Sequence, residues 1–535
     1  MSHSPLLLIG LDGVDFRYLD TFAEVLPQIG ELRRHGTEAP LQSTHPPWTA
    51  SAWPSMYTGV DPSHHGVFDF FDYEGTYPDE ATVVTGRDVH APSMWEYLTQ
   101  QELRSIVLNV PVTHPANELV GIQIPGYLAP SDEPGYPPEI REELGDTLGS
   151  PYRIYSEYEN DDRTETKIEG YKSLIEKRGI AAAHLLETRE WDFAFVQVQK
   201  TDAVFHNSSS TEHFETIYRT ADELVGRLIE ASPENLNVIL CSDHGMGPVG
   251  GYTVYINELL KEAGYIETTT GRTARSISTV KGEESTETDA QGPITQVVSL
   301  GRKMGLGPER VYQLAKRFAV SGQLRQLVPD SLEQSLKQGV DWRQSTAYCR
   351  RPSEQGIRLN VRGREPEGIV PPESYESVRS EIIEYLSDLT TDSGGPVFDF
   401  VCRREEIYDG PYTEQACDIL FKTAGMNHKI STALPGIRMT SVETHNHKSN
   451  GVFVASGPEI NAEWTGTPLS VVDIAPLVFT LLEQPIPERL TGDVPSDLTA
   501  LASSHESYDV TSVDEGEYIQ DQSEVTDRLR DLGYL

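Results

Sequence analysis

The sequence predicts an α/β fold with a mostly parallel central sheet, helices on both faces and an inserted cap segment. Short apolar runs with the length of buried strands recur along the chain and alternate with segments of helical periodicity. Three of these runs end at Asp or His residues. Because sites in open α/β sheets lie at the carboxyl ends of the strands, the same pattern predicts where the functional site is.

Metal-ligand residue types follow three of the predicted strands. They are Asp12 after Leu6–Leu11, Asp202 and His206 after Phe193–Val198, and Asp243 and His244 after residues 237–240. Carboxylates and imidazoles suit Zn²⁺ or Mn²⁺, so we hypothesise a two-metal site at this edge of the sheet. Asp202 and His206, at i and i+4, meet on one face if their segment is helical. Any one of these motifs alone could instead be a surface turn.

A hydroxyl side chain stands at a predicted helix start. Pro46 and Pro47 favour an extended approach, and small residues follow Thr49, which is therefore predicted as an N-cap or first-turn residue. Capping is one interpretation of Thr49. In the other, free N–H groups and the positive end of the helix dipole favour an alkoxide and a bound phosphate there, and a metal completes the activation of the hydroxyl.

Four further residues have more than one interpretation. His65 is either a ligand or, as we favour, a residue that fixes its turn by hydrogen bonds to the backbone. Lys200 could reach a substrate phosphate or be a solvated lysine at a strand end. His445 and His447 precede the predicted strand at residues 452–455, so a loop must carry them to the site.

The remaining elements follow from the periodicity of the apolar residues. We predict strands at residues 105–111, 357–361 and 398–402, and helices at residues 168–190, 214–228 and 374–386.

The chain is predicted to have four parts: residues 1–265 and 342–502 as the catalytic α/β core, 266–341 as an insertion, and 503–535 as an acidic tail. Residues 268–293 are polar and aperiodic and are interpreted as a mobile loop; helical patches follow at 310–320 and 330–337. The insertion either caps the site or is an inert embellishment. The tail is predicted to be a solvated arm, although residues 528–535 could dock as a short helix.

The composition restricts the possible partners and location. Nothing approaches 18 uninterrupted apolar residues, so no membrane span is predicted, and we expect a cytoplasmic protein. The formal charge of −40 would repel a nucleic-acid backbone. Four cysteines without CxxC spacing argue against disulfides and thiolate zinc sites. The oligomeric state is not predicted.

The acidic excess predicts stability that depends on salt. Asp and Glu number 83 against 43 Lys and Arg, spread along the chain, which favours a halophilic protein over an ordinary acidic cytosolic enzyme. At about 1 M salt, screening over roughly 3 Å removes the self-repulsion. We expect the thermal midpoint to be higher in multimolar KCl than at low ionic strength. An equal or higher midpoint at low salt would refute the halophilic interpretation.

Five motifs together resemble the alkaline phosphatase superfamily, and most closely its type I phosphodiesterase/nucleotide pyrophosphatase-like branch. Each motif is short, but five in register across residues 6–458 are specific. They are Gly10-Leu11-Asp12-Gly13; Thr49 with Thr58-Gly59 and Pro62-Ser63-His64-His65-Gly66; Asp202 with His206; Ser242-Asp243-His244-Gly245; and His447 with Gly451-Val452-Phe453 and Ser456-Gly457-Pro458.

The resemblance implies a phosphoric ester hydrolase with two divalent ions, Zn²⁺ or alternatively Mn²⁺, and a small phosphate ester as substrate. By it, Asp12, Asp243, His244 and the Thr49 hydroxyl bind one ion, and Asp202, His206 and His447 the other. His445 is the alternative to His447, whose spacing to Gly451 fits the family better. Thr49 would form a phosphothreonine that a metal-bound water hydrolyses, with the ions roughly 4 Å apart.

One departure from the family pattern restricts the substrate that the resemblance implies, and other enzyme classes can be compared with the same motifs. Nucleotide-cleaving members carry Asn three residues after the nucleophile, where this chain has Ala52, so nucleotide specificity is not implied. No sulfatase Cys/Ser-x-Pro-x-Arg stretch surrounds Thr49, and the insertion is small for a phosphomutase. A phosphomonoesterase of the same superfamily remains an alternative function. A non-catalytic binding protein is disfavoured, because such ionisable clusters are costly without a metal.

Overall fold

An eight-stranded sheet forms the centre of the structure. The structure is a computed structural model that describes residues 3–73, 77–78, 81–270, 338–466, 468–510, 525–526 and 528–529. The described strands are β1 (Leu6–Leu11), β2 (Thr37–Gln42), β3 (Phe71–Asp72), β4 (Thr82–Val83), β5 (Ser105–Leu108), β6 (Gly121–Ile124), β7 (Phe193–Val198), β8 (Asn237–Cys241), β9 (Gly245–Val249), β10 (Tyr252–Tyr255), β11 (Thr268–Thr270), β12 (Gln338–Val340), β13 (Ala347–Tyr348), β14 (Gly356–Leu359), β15 (Phe398–Arg403), β16 (Ile419–Thr423), β17 (Lys429–Ser431), β18 (Met439–Ser441), β19 (Thr444–Lys448), β20 (Asn450–Ser456), β21 (Leu469–Ser470), β22 (Ile486–Pro487) and β23 (His505–Glu506).

Helices connect these strands. The described α-helices are α1 (Phe16–Thr21), α2 (Pro27–His35), α3 (Thr49–Thr58), α4 (Pro62–His65), α5 (Met94–Gln100), α6 (Ile140–Leu148), α7 (Thr164–Thr188), α8 (Lys200–Asn207), α9 (Thr211–Glu230), α10 (Ile256–Glu262), α11 (Tyr375–Ser387) and α12 (Ile474–Leu481). The predicted helices at residues 168–190, 214–228 and 374–386 correspond to α7, α9 and α11.

The mostly parallel central sheet that the sequence predicts is confirmed. Its order is β21-β2-β20-β8-β1-β7-β5-β6, and the pairs among β8, β1, β7, β5 and β6 are parallel. Every residue of β1, β7 and β8 is buried. A parallel strand covered on both faces reads as a continuous apolar run, which is why these three were recognisable in the sequence.

One strand of the central sheet runs in the opposite direction. β20 is antiparallel to both β2 and β8, so its first residues lie at the edge where β8 ends. The preceding segment is itself a strand, β19, which pairs with β9 immediately after β8. The prediction that a loop carries His445 and His447 to the site is therefore wrong, because β19 carries them.

A second, antiparallel sheet lies between β12 and β20 in the chain. Its order is β13-β14-β16-β15, and β15 contacts α11. A separate hydrophobic cluster supports it, with Ile357, Leu359, Ile382 and Phe421 fully buried. The strands predicted at residues 357–361 and 398–402 belong to this sheet and not to the central one.

The two ends of the predicted insertion meet. β11 pairs with β12 in antiparallel register, with Thr268 opposite Val340. Thr268–Thr270, predicted as the start of a mobile loop, is therefore a strand. The helical patches predicted at residues 310–320 and 330–337 lie outside the described residues, and the cap role of the insertion stays a prediction.

Part of the acidic tail is packed and not solvated. Val525 and Leu529 are buried, and the Arg528 guanidinium carbon lies 3.4 Å from the centre of the Tyr155 ring. This agrees with the alternative of a docked tail for residues 528 and 529, and residues 530–535 lie outside the described residues. Within the described residues no helix has the length and apolar composition needed to cross a membrane. The cytoplasmic location stays a prediction.

Candidate metal and phosphate site

Three neighbouring strands deliver the carboxylates of the site to one edge of the sheet. β7, β1 and β8 lie side by side and in parallel, so their carboxyl ends meet. Asp12 directly follows β1, Asp243 follows β8, and Asp202 lies in α8 after β7. All three side chains have no exposed surface. The predicted strand-end residues therefore meet in one buried cluster.

Close approach between the chain after β1 and helix α8 requires glycine at position 13. Gly13 has φ +65°, and a Cβ there would lie 2.9 Å from the Asp202 Oδ1 atom. Its N–H donates to Asp243 Oδ1 at 3.2 Å. Only a residue without a side chain can hold both carboxylates so near.

One group of possible metal ligands consists of Asp12, Asp243 and His244. The His244 Nε2 atom lies 3.5 Å from Asp12 Oδ1 and 3.2 Å from Asp243 Oδ2. The His244 Nδ1 atom contacts the Gly245 carbonyl oxygen at 3.1 Å, which orients Nε2 toward the two carboxylates.

A second group consists of Asp202, His206 and His447. α8 places Asp202 and His206 one turn apart, as predicted if helical, and His206 Nε2 lies 3.2 Å from Asp202 Oδ2. His447 Nε2 lies 3.4 Å from Asp202 Oδ1. The His447 Nδ1 atom contacts the Pro47 carbonyl oxygen at 2.9 Å. The His244 and His447 rings stack with centroids 3.8 Å apart, so the two groups adjoin.

The Thr49 hydroxyl lies against the first group. Thr49 is the first residue of α3, as its predicted first-turn position requires. Its Oγ1 atom donates to Asp12 Oδ1 at 3.3 Å and lies 3.4 Å from His244 Nε2. The N-cap residue, Trp48, makes no side-chain cap to the helix. The Ser51 N–H donates to the Trp48 carbonyl oxygen at 3.1 Å, so the N–H groups of Thr49 and Ala50 are the ones available to an anion beside the hydroxyl.

The electrostatics of the cluster fit a divalent cation. Burial raises the pKa of Asp12, and the Asp243 and Asp202 carboxylates raise it further. Burial also raises the pKa of Asp243, and it lowers the pKa of His244 and of His447, which favours the neutral imidazole that binds metals. Contacts with His206 and His447 outweigh burial and lower the pKa of Asp202.

Carboxylate oxygens without hydrogen-bond donors support the same conclusion. Imidazole nitrogens approach both oxygens of Asp202 and the Oδ2 atom of Asp243 at 3.2 to 3.4 Å but not in hydrogen-bond geometry, and among the described residues these oxygens have no other partner. Buried carboxylates in this condition are costly unless a cation coordinates them. The oxygen and imidazole nitrogen donors present match the preferences of Zn²⁺ and Mn²⁺.

Other sequence candidates lie apart from these two groups. His65 is buried, accepts from the Val67 N–H at 3.2 Å and contacts Ser55 Oγ at 2.8 Å, so it fixes its turn. Burial lowers the pKa of His65 to about 3. His445 packs on Phe205, with ring centroids 5.3 Å apart, and the structure brings His447 to the carboxylates instead.

Lys200 is buried, so its interpretation as a solvated lysine is wrong. Its Nζ atom donates to Glu159 Oε1 at 2.6 Å and lies 4.8 Å from the centre of the Tyr171 ring. Burial lowers the pKa of Lys200, and Glu159 opposes that shift. The role of Lys200 as a substrate ligand stays a prediction, with its charge already paired.

Two residues that orient Asp12 were not recognised in the sequence. Trp53 Nε1 and Gln197 Nε2 each donate to Asp12 Oδ2 at 2.9 Å. Trp53 lies four residues after Thr49 on α3, and Gln197 is the polar residue in the otherwise apolar β7. The sequence contained a signal for each residue: Trp53 has helical spacing from the predicted nucleophile, and Gln197 is an amide next to the end of a buried strand.

The fold and the site define the class of alkaline-phosphatase-like proteins: a mostly parallel sheet with buried carboxylates, imidazoles and a helix-start hydroxyl at its carboxyl edge. The chain belongs to the type I phosphodiesterase/nucleotide pyrophosphatase family, whose model matches residues 6–425. The family resemblance predicted from the motifs is thereby confirmed. It is a metal-dependent family of hydrolases that act on phosphoric ester bonds.

Curated relatives and a solved structure agree with this assignment. Ectonucleotide pyrophosphatase/phosphodiesterase family member 1 of Rattus norvegicus is 24% identical over 291 residues, 51% of this chain and 27% of the relative. Venom phosphodiesterase of Naja atra is 23% identical over 251 residues, 45% of this chain and 26% of the relative. The matches thus span about a quarter of each relative.

The structure of phosphonoacetate hydrolase from Sinorhizobium meliloti 1021 in complex with phosphonoacetate has the same fold. The TM-score is 0.55 at 16% identity, and the match covers 90% of this chain and 96% of that chain. At this identity the likeness concerns the fold alone.

Proposed function

We propose that the protein is a phosphodiesterase that works through a phosphothreonine at Thr49 with two divalent ions, Zn²⁺ or Mn²⁺. The observation that carries this proposal is the Thr49 hydroxyl at the uncapped start of α3, within 3.4 Å of both Asp12 and His244. A hydroxyl in that position has a nucleophile's access to an anion bound by the helix N–H groups.

The ligand sets follow the two groups of the site. Asp12, Asp243, His244 and Thr49 would hold one ion, and Asp202, His206 and His447 the other. The ions would supply positive charge to the nucleophile and to the phosphate oxygens. Gln197 and Trp53 would hold Asp12 Oδ2 in place, which fixes the direction of the oxygen that contacts Thr49.

The chain's residues then carry out two displacements. The Thr49 hydroxyl gives up its proton toward Asp12 Oδ1, which it contacts, and Oγ1 forms a bond to phosphorus while the ester bond to one alcohol breaks in line with it. The departing alkoxide takes up one proton, which balances the proton that Thr49 loses. The α3 N–H groups donate to the phosphate oxygens as their charge rises. Water next attacks the phosphothreonine, which releases a phosphate monoester and restores the hydroxyl.

Diesters are the expected substrates, because little positive charge is free for a monoester dianion. Ala52 replaces the Asn of nucleotide-cleaving members, and Lys200 is paired with Glu159. We expect a higher kcat/KM for bis-p-nitrophenyl phosphate than for p-nitrophenyl phosphate, with zinc and with manganese alike. If the monoester is the better substrate and Lys200→Ala reverses the preference, the diester assignment fails and Lys200 is a substrate ligand.

Metal content tests the ligand assignment directly. We expect about two equivalents of zinc or manganese in the purified protein and about one fewer in Asp202→Asn, because Asp202 anchors the second group. Asp222→Asn is the matched control: Asp222 is also buried, but its carboxylate accepts from the N–H groups of Gln28 and Ile29. Wild-type metal content in Asp202→Asn would contradict the assignment, and a metal-free wild type would favour a binding protein.

A further inference from the structure

The chain enters helix α3 through a segment that is neither strand nor helix. This approach segment, residues 43–48, connects β2 to α3 and ends directly before Thr49. Pro46 and Pro47 have no N–H groups, so the segment lacks two of the donors that pairing in a sheet requires. Its carbonyl oxygens are therefore the groups available to hold it there.

Two of these carbonyl oxygens are held by residues of the catalytic core. That of Pro46 accepts from the Trp48 N–H at 3.0 Å and from the Ser51 hydroxyl at 3.2 Å, both only a few positions away in the chain. That of Pro47 lies 2.9 Å from Nδ1 of His447. The end of the approach segment is thus joined to α3 and to the second metal group.

The beginning of the approach segment is held from the second sheet. The His45 carbonyl oxygen accepts a hydrogen bond from the hydroxyl of Tyr408, which lies between β15 and β16 and is 4% exposed. The Tyr408 ring packs edge-on against Phe68, with ring centroids 5.2 Å apart. The His45 ring packs edge-on against Phe400 of β15, at 5.1 Å. Both the backbone and the side chain of His45 therefore contact the second-sheet region.

The hydrogen bond between Tyr408 and His45 does not depend on pH near neutrality. Burial raises the pKa of the Tyr408 hydroxyl, and the Asp61 carboxylate raises it further, so this donor keeps its proton. Burial and the Lys422 charge lower the pKa of His45 to about 3, so its imidazole is neutral. The acceptor is a backbone carbonyl, which does not titrate.

The Thr49 hydroxyl is sensitive to the position of this segment. Its Oγ1 atom lies 3.3 Å from Asp12 Oδ1 and 3.4 Å from His244 Nε2, and only three residues separate it in the chain from His45. Attack on phosphorus needs the nucleophile in line with the leaving group, and a displacement of about 1 Å can cost about a hundredfold in rate. A contact that fixes the His45 carbonyl therefore affects the rate of that attack.

Resting on the proposed function, we propose that Tyr408 is a positioning residue for the nucleophile. Its hydroxyl fixes the His45 carbonyl, and the backbone of residues 45–48 transmits this constraint to the Thr49 hydroxyl. Tyr408 acts through this backbone and not on the phosphate itself. The second-sheet region thereby takes part in placing the nucleophile of a site whose metal groups belong to the central sheet.

The variant Tyr408→Phe tests this role, because it removes the donor and keeps the ring against Phe68. We expect kcat/KM for bis-p-nitrophenyl phosphate to fall about tenfold. The inhibition constant of inorganic phosphate, the metal content and the shape of the pH profile should not change, because Tyr408 neither binds phosphate nor titrates. Tyr385→Phe is the matched control: the Tyr385 hydroxyl also donates to a carbonyl oxygen, that of Leu259, at 3.2 Å. It should keep the wild-type kcat/KM.

Two results would overturn the proposal. One is a wild-type kcat/KM in Tyr408→Phe. The other is a loss of activity matched by an equal loss of phosphate-binding sites per chain in calorimetry, which would mean that Tyr408 only stabilises the fold.

A wild type that hydrolyses no diester would instead count against the proposed function. Hydrogen exchange of the peptide that contains residues 43–52, measured by mass spectrometry, then decides whether Tyr408 fixes the approach segment. Faster exchange in Tyr408→Phe than in Tyr385→Phe supports the inference, and equal exchange refutes it.

Discussion

Thr49→Ala is expected to lower kcat for bis-p-nitrophenyl phosphate by at least about a thousandfold, because the variant lacks the proposed nucleophile. Metal content should stay nearly unchanged, since the hydroxyl is one ligand among several. Thr49→Ser should keep measurable turnover. The measurements are steady-state hydrolysis and metal analysis of the same preparations, so that loss of metal cannot be mistaken for loss of the nucleophile.

Thr58→Ala is the matched control for that experiment. Thr58 is the last residue of the same helix, and its hydroxyl donates to the Pro54 carbonyl oxygen at 2.6 Å. It lies roughly 13 Å along the helix axis from Thr49. We expect near-wild-type hydrolysis in Thr58→Ala. Near-wild-type turnover in Thr49→Ala would instead rule out Thr49 as the nucleophile.

The second large effect is expected on stability, at Asp418, which directly precedes β16 of the second sheet. Asp418 has no exposed surface and accepts two hydrogen bonds from Arg364, at 2.6 and 2.7 Å, one from Arg404 at 3.1 Å and one from the Leu359 N–H at 2.7 Å. Replacing it by Asn removes the fully buried charge that Arg364 and Arg404 share, although Glu365 and Glu405 still contact these two arginines. We expect the free energy of unfolding to fall by about 3 kcal/mol in chemical denaturation.

The dependence of this effect on pH has a definite sign. Burial alone would raise the pKa of Asp418, but hydrogen bonds from Arg364 and the nearby arginine charges lower it. A lowered carboxyl pKa stabilises the fold above the unfolded value of about 4, and this contribution is lost as the pH falls below it. The difference between wild type and Asp418→Asn should shrink below about pH 4.

Asp399→Asn is the control, because Asp399 is partly exposed and pairs with Lys422 only at 3.6 Å. It should cost no more than about 1 kcal/mol. An Asp418→Asn variant as stable as this control would show that the arginines find other partners.

The sequence by itself determined five strands of the central sheet, β1, β5, β7, β8 and β20, and the positions of most of the candidate residues. Buried parallel strands are continuous apolar runs, and candidate ligands follow β1 and β8, so Asp12 and Asp243 could be placed from local pattern alone. Asp202 and His206 needed only helical spacing, and Thr49 only the chemistry of a helix start. The elements that carry these residues could be predicted because helical spacing and helix starts depend on neighbours in the chain.

Only the tertiary structure decided the contacts that join distant segments. His447 reaches the carboxylates because β20 is antiparallel, which puts the chain before it at the edge where β8 ends, and local pattern does not encode strand direction. Lys200 is buried against Glu159, 41 positions earlier in the chain, and no periodicity signals such a pair. Thr423, in β16 of the second sheet, lines one cavity together with His206, and packing between separate sheets depends on the complete fold.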